Sequence, residues 1–433
     1  MNSSQPSKSF PSFFTVRQHF DRHPVEIEVA AAVERELGRI APALARAVPP
    51  RASIAIALGS RGVTGMAAVT AALVAGLRGR GYEPFVVPAM GSHGGTTPEG
   101  QEKTLALLGI TEASIGAPIR SQAGTLLVAR TDSGLPVYAD RLAAGADAVI
   151  PVNRVFTHTI FTGPVESGLL KMLAIGLGKE DSAATAHRAA ITRGLGAMVL
   201  EVGRKVLSAL NVPFGLAVVE NGRREIARIR AVAAEVMEEE EADLLVEAKR
   251  LKPRIPFDFL HLLVVDRMGK NFSGTGIDTK VVGRMMQTGE PEPATPRYLR
   301  IYVGDLAPEA GGNAHGMGLA DFVSERLVAK VDMRVTLANA VTACAPQKAR
   351  RPPVVASDRE GIELGLSMAG MADPAAARVV RIANTRDLER LWISEALLDE
   401  AKAAGLEIEE GPFELRFDAA GNLPAWGRGA GRP

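Results

Sequence analysis

The chain has 433 residues, 46% hydrophobic and 23% charged, with a formal net charge of +1, a length that predicts two domains. Near-neutral charge, with no basic block interleaved with aromatics, gives no electrostatic case for nucleic acid. The single cysteine, Cys344, excludes an internal disulfide framework and a multi-thiolate zinc site within one chain. No apolar run is long enough to cross a bilayer and the first residues lack a signal-peptide core, so the expectation is a cytoplasmic protein, frayed at its start and from about Trp426 onward.

In chain order, apolar residues at helical spacing (Val33, Leu37, Ile40, Leu44) predict a first helix, stopped by Pro49-Pro50. The continuous run Ser53 to Leu58 reads as a buried strand that empties into Gly59-Ser60-Arg61-Gly62-Val63-Thr64-Gly65 before a helix from Met66 to Leu77. Strand, glycine-rich turn and helix is an arrangement that presents backbone N–H groups to an anion. It lacks the GxGxxG spacing of a dinucleotide site. A second strand from Pro84 runs into Gly91-Ser92-His93-Gly94-Gly95-Thr96-Thr97, with a helix from Pro98 to Leu108. Strands are expected at Thr125–Arg130, Pro136–Asp140 and Ala148–Asn153, so His93 and His158 leave the ends of two different strands. If those strands are neighbours, their loops share one cleft.

The window from Thr157 to His187 is the most reactive in the chain: His158, Glu166-Ser167-Gly168, Lys171 and His187 lie within it. Leu169, Leu170, Met172, Leu173, Ile175 and Leu177 surround Lys171, so this lysine is either snorkelling or desolvated for a purpose. A helix is expected from His187 to about Leu210, a hairpin around Asn221-Gly222, and a solvated face for Glu238–Glu241. Pro253 and Pro256 mark the domain boundary, giving domains 1–255 and 256–433. Beyond it, Phe259–Val265, Tyr298–Val303 and segments at Val379, Leu406 and Phe413 read as strands, and Asp321–Lys330 and Met333–Ala343 as helices. Lys270, Lys280 and Arg284 are candidate anion binders, and Cys344, His315, His19, His23 and His261 read as structural. The fold class is α/β, two domains each with a mostly parallel sheet flanked by helices.

GSHGGTTPEG with His93, the block from His158 to Lys171, and His187 at the family's lysine-to-histidine spacing together resemble the nickel-dependent lactate racemase family. The resemblance implies an active site in the interdomain cleft. It also implies a racemase or epimerase that inverts the C2 alcohol of a 2-hydroxy acid by proton-coupled hydride transfer. The cofactor implied is the nickel-pincer nucleotide (nickel pyridinium-3,5-bisthiocarboxylic acid mononucleotide), attached covalently through Lys171 and made by separate cofactor biosynthesis proteins. His187 matches the nickel ligand, His93 and His158 the facing acid/base pair and Arg61 the arginine that holds the substrate's carboxylate; Ser167 and Gly168 are candidate cofactor-binding residues beside Lys171, and Lys270, in its polar loop, is a candidate substrate-binding residue although the family's C-terminal Gln-x-x-Lys has no match here.

The sequence departs from the family where the substrate would bind. The link from His158 to Lys171 is longer and reads Gly163-Pro164-Val165-Glu166-Ser167-Gly168, Leu58 stands where the family has an acidic residue, and Arg61 is followed by Gly62 instead of proline. These point to a divergent subfamily acting on a 2-hydroxy acid other than lactate. Two alternatives stand beside this reading. One is a metal-dependent hydrolase or lyase that uses His93, His158 and His187 directly as ligands; the other is a non-catalytic mononucleotide-binding protein.

Overall fold

The computed structural model describes residues 10–20, 25–26, 28–60, 62–371 and 373–426. The chain divides into two compact units, Arg22–Lys252 and Met1–Asp21 with Pro253–Pro433. The start of the chain differs from the frayed segment expected. Residues 13–17 form strand β1 (Phe13–Arg17), which pairs antiparallel on both sides with strands from the far end of the sequence. A first domain running unbroken from residue 1 therefore does not describe the sheet to which this strand belongs.

The unit Arg22–Lys252 contains β2 (Ser53–Leu58), β3 (Glu83–Pro88), β4 (Thr125–Arg130), β5 (Pro136–Asp140), β6 (Ala148–Arg154), β7 (Phe214–Glu220) and β8 (Ile226–Ala233). Five of them form one sheet in the order β3-β2-β6-β7-β8, and β4 and β5 form a separate antiparallel ribbon. All neighbours in the five-stranded sheet are parallel except the β7–β8 hairpin. Its turn is held by the Asn221 side-chain carbonyl, which accepts from the Arg223 and Glu225 N–H groups, both at 3.0 Å.

The continuous apolar run of β2 has the composition of a strand covered on both faces. Ile54, Ile56 and Leu58 face a core shared with Val33, Leu37 and Leu73 of the helices Val29–Ala47 and Met66–Gly79. Ala55 and Ala57 face the other core, with Leu169, Leu173, Val199 and Leu245. Leu58 and Pro88, the last residues of β2 and β3, are level with Val152 of β6, which runs two residues further to Arg154, so the three neighbouring strands open onto one edge. That shared edge carries the loops with Ser60, His93 and His158. The strands bearing the two histidines are not neighbours, because β2 lies between them. Two strand spacings of about 4.8 Å set their exits about 10 Å apart.

The other unit holds β9 (Phe259–Met268), β10 (Arg297–Leu306), β11 (Phe322–Ser324), β12 (Val354–Val355), β13 (Val379–Ile382), β14 (Arg390–Ser394) and β15 (Glu407–Phe413). Its sheet has the order β12-β11-β10-β9-β13-β14-β1-β15, parallel from β12 to β13 and antiparallel beyond. Three expected elements differ. The helix expected over Asp321–Lys330 is the short strand β11 followed by one helical turn, Glu325–Val328. The strand expected from Phe413 onward has already ended at that residue. The helix expected to run on to Leu210 is two helices, Lys179–Arg193 and Leu195–Ala209, broken at Gly194, whose φ of 77° most side chains resist. No helix among the described residues is long and apolar enough to cross a membrane.

Candidate functional site

Lys171 closes a single α-helical turn, Leu169–Lys171, which passes directly into a π-helical segment, Met172–Gly176, and then into the helix Lys179–Arg193 that carries His187. Inserted π turns are rare and cluster at functional sites. Here the insertion is locked from the sheet side: Gly91, in the loop after β3, donates its N–H to Gly176 O at 3.1 Å. A side chain on Gly176 would overlap Ala89 O, so only glycine allows this approach. At the other end of the segment, Asn153 of β6 donates from Nδ2 to Gly168 O at 2.8 Å. Strand exits thus fix both ends of the lysine-bearing segment.

Leu169, Leu170, Met172 and Leu173 are buried in the core while Lys171 itself is half-buried. His187 is half-buried too, and burial, with a smaller push from the Lys171 ammonium, pulls its pKa down to about 4. The imidazole is therefore neutral at pH 7, the form in which histidine binds a metal. Lys171 and His187, paired in the sequence by spacing alone, are electrostatically coupled in the fold.

The His158 loop is pinned at its neck by Phe156 and Ser167, which exchange N–H···O bonds of 2.7 and 3.0 Å. Inside the loop, buried Glu166 accepts from the His158 N–H at 2.7 Å and pairs with Lys249 Nζ at 2.8 Å. His158 Nδ1 accepts from the Ile160 N–H at 3.3 Å, so the neutral ring carries its proton on Nε2, and the ring lies 4.6 Å from that of Phe161. His93 is exposed and its Nδ1 bonds to Ser60 Oγ, in the loop after β2. That serine ties the His93 loop to the loop of the intervening strand. Ser167 and Gly168 spend their backbone groups on the Phe156 bridge and on Asn153. Arg61 lies outside the described residues, and Lys270 belongs to the other compact unit.

Glu241 corrects the sequence reading most sharply. The Glu238–Glu241 run was expected to be a solvated face, yet Glu241 is fully buried. Its Oε2 accepts the Leu170 N–H at 2.9 Å, capping the turn that presents Lys171. A side chain on Gly168 would overlap its other carboxylate oxygen. The signal was present in helical phase, because Met237, Glu241, Leu244, Leu245 and Ala248 fall on one buried face. Burial pushes the Glu241 carboxyl up to about 7, against the pull of the Leu170 and Leu169 N–H groups.

A folded-state pKa raised above the ordinary 4.5 gives stability that is complete below pH 4.5 and lost as pH rises through about 7. Glu241→Gln keeps the shape and an acceptor for Leu170 but cannot ionise. Its unfolding free energy should match wild type at pH 4 and exceed it at pH 8, by on the order of 3 kcal/mol at most, read from denaturant melts at the two pH values. Equal pH slopes for the two proteins would contradict this.

Among the described residues, no three His, Cys, Asp or Glu side chains are grouped to hold a metal. The alternative in which His93, His158 and His187 share one ion thus has no supporting geometry there.

No family model matches the chain, and no curated protein matches it. It is similar to the solved structure of the lactate racemase apoprotein from Thermoanaerobacterium thermosaccharolyticum, over 80% of this chain and 85% of that one, with 11% identity and a TM-score of 0.46. A likeness at that level bears on no residue of the site.

Proposed function

We propose that this protein is an isomerase, a racemase or epimerase that inverts the C2 alcohol of a 2-hydroxy acid with a nickel-pincer nucleotide tethered to Lys171. The observation that carries the reading is the segment that joins the half-buried Lys171 amine, on a turn fixed by Asn153 and Glu241, through a π insertion to the helix bearing half-buried His187. These two groups fit the cofactor. Covalent tethering requires a primary amine, and planar nickel(II) accepts a neutral imidazole. When bound, the group supplies a hydride acceptor.

The chain's own residues supply the rest of the reaction. Glu241 and Asn153 fix the helical turn that presents the amine. His93 and His158, on loops from one sheet edge, move the hydroxyl proton, one as base while the other serves as acid. The substrate's carboxylate is assigned to Arg61, whose forked donors suit it.

Intact-mass measurement after co-expression with the cofactor's biosynthesis proteins tests the reading directly: the nucleotide's added mass is expected on wild type. His187→Ala should keep that mass and its melting temperature but lose most of its nickel. Because His187 stays deprotonated until the pH nears 4, wild type should hold nickel undiminished from pH 8 down to pH 5.5. Nickel content unchanged by the substitution would remove His187 as ligand.

A further inference from the structure

The unit that contains β9 buries a second group of bases, of which His315 and Lys348 take no part in the reaction above. His315 is 1% exposed, and among the described residues neither of its ring nitrogens has a hydrogen-bond partner. The main chain around it is fixed, since His315 N–H donates to Asn313 Oδ1 at 3.1 Å and Gly316 N–H to Lys348 O at 2.9 Å. The Lys348 side chain is fully buried, with Nζ 3.0 Å from Gln287 Oε1. Lys270, from the polar loop after β9, donates to Asn339 Oδ1 at 2.6 Å and to Gly274 O. Asn339 Oδ1 also accepts from Asn313 Nδ2 at 3.2 Å, joining the Lys270 loop to the His315 loop.

Burial, then the charges of Lys270 and Lys348, pull His315 down to about 3, and burial pulls Lys348 down to about 8. A neutral imidazole offers one donor and one acceptor. Leaving either unmatched in the interior is destabilising. Glu290, Glu292 and Lys280 also act on Lys348. The Glu292 carboxylate is already engaged, accepting from the N–H groups of Met285 and Met286 at 2.7 Å each. Two ammonium groups, Lys270 and Lys348, thus act on a buried ring whose nitrogens are unmatched among the described residues.

We propose that His315, Lys348 and Lys270 form a binding site for a small oxyanion, a carboxylate or phosphate group, seated under the glycine-rich 269–276 loop. An oxyanion accepts from the imidazole N–H and from an ammonium, and the ring's other nitrogen accepts from the second ammonium, so every group gains a partner. The two loops approach main chain to main chain: Gly316 has a φ of 105°, and a Cβ there would overlap Thr275 O. The site shares Lys270 with the expected substrate-binding residues, whereas His315 and Lys348 have no part in the proposed reaction.

The test uses the full chain with sodium malonate and with inorganic phosphate in separate titrations, read by calorimetry and by hydrogen exchange of peptides covering 269–277 and 313–318. Binding of at least one anion with slowed exchange in both peptides is expected, malonate alone indicating a carboxylate ligand and phosphate alone a phosphate. His315→Phe and Lys348→Met should each weaken binding by about tenfold or more, the loss of one charge-assisted hydrogen bond. Should either variant fail to fold, the wild-type exchange measurement decides. No change in those peptides with either anion at millimolar concentration, or unaltered binding by folded variants, overturns the site.

Discussion

Lys171→Ala is expected to carry no nucleotide and to show no activity while folding as wild type does. The substitution is structurally mild. Lys171 ends a helical turn whose hold on the core comes from Leu169, Leu170, Met172 and Leu173, all buried. Alanine is the best helix former, and the truncation leaves these four core side chains in place. The expected loss is therefore chemical: no amine remains for the cofactor to be tethered to. Lys171→Arg should not rescue it, because a guanidinium stays charged at any usable pH and is a poor nucleophile. Intact mass and melting temperature, measured on the same preparations, check both halves of the expectation. Full adduct mass on the alanine protein would move the attachment elsewhere. Nickel binding without added mass on wild type would favour a metal held by side chains alone.

The parts of this fold legible in the sequence are those whose signal is local. β2, β3 and β6 are continuous apolar runs bounded by glycine, proline or polar residues, and the β7–β8 hairpin announces itself through Asn221-Gly222. β1 gave no such signal. Its five residues are ordered by partners near the other end of the chain, Phe13 opposite Ser394 and Phe413. The π segment was hidden for a different reason, since Met172–Gly176 is apolar throughout and looks alike at i+4 or i+5 spacing. In the site, residue types pointed to Lys171, His187, His93 and His158, but what orients them was not visible. Ser60 reaches His93 from another strand's loop, and Glu241 lies far along the chain in a run of glutamates. Both contacts depend on strand order, which spacing along the chain does not encode.

His93→Ala and His158→Ala should each abolish net interconversion of the two substrate configurations, and each should spare the chemistry of a different one. In the proposed reaction each histidine is the base for one configuration and the acid for the other, so a complete inversion needs both. Losing a positioned general base typically costs about 10²–10⁴-fold. The two are not equivalent in this fold. His93 can keep its Nδ1–Ser60 bond with its proton on Nδ1, which leaves Nε2 as the basic nitrogen. His158 accepts the Ile160 N–H at Nδ1, so it must give up that 3.3 Å bond, worth about 0.5–1.5 kcal/mol, before Nε2 can act as a base. The configuration served by His93 should therefore react faster in wild type. That advantage should vanish in His93→Ala, where only the configuration served by His158 still reacts in a single turnover. Rapid mixing of stoichiometric loaded enzyme with each pure configuration, followed by visible absorbance, separates the cases. Equal responses to both configurations in both variants would mean that the histidines do not divide the two faces, and the two-base reaction would have to be abandoned.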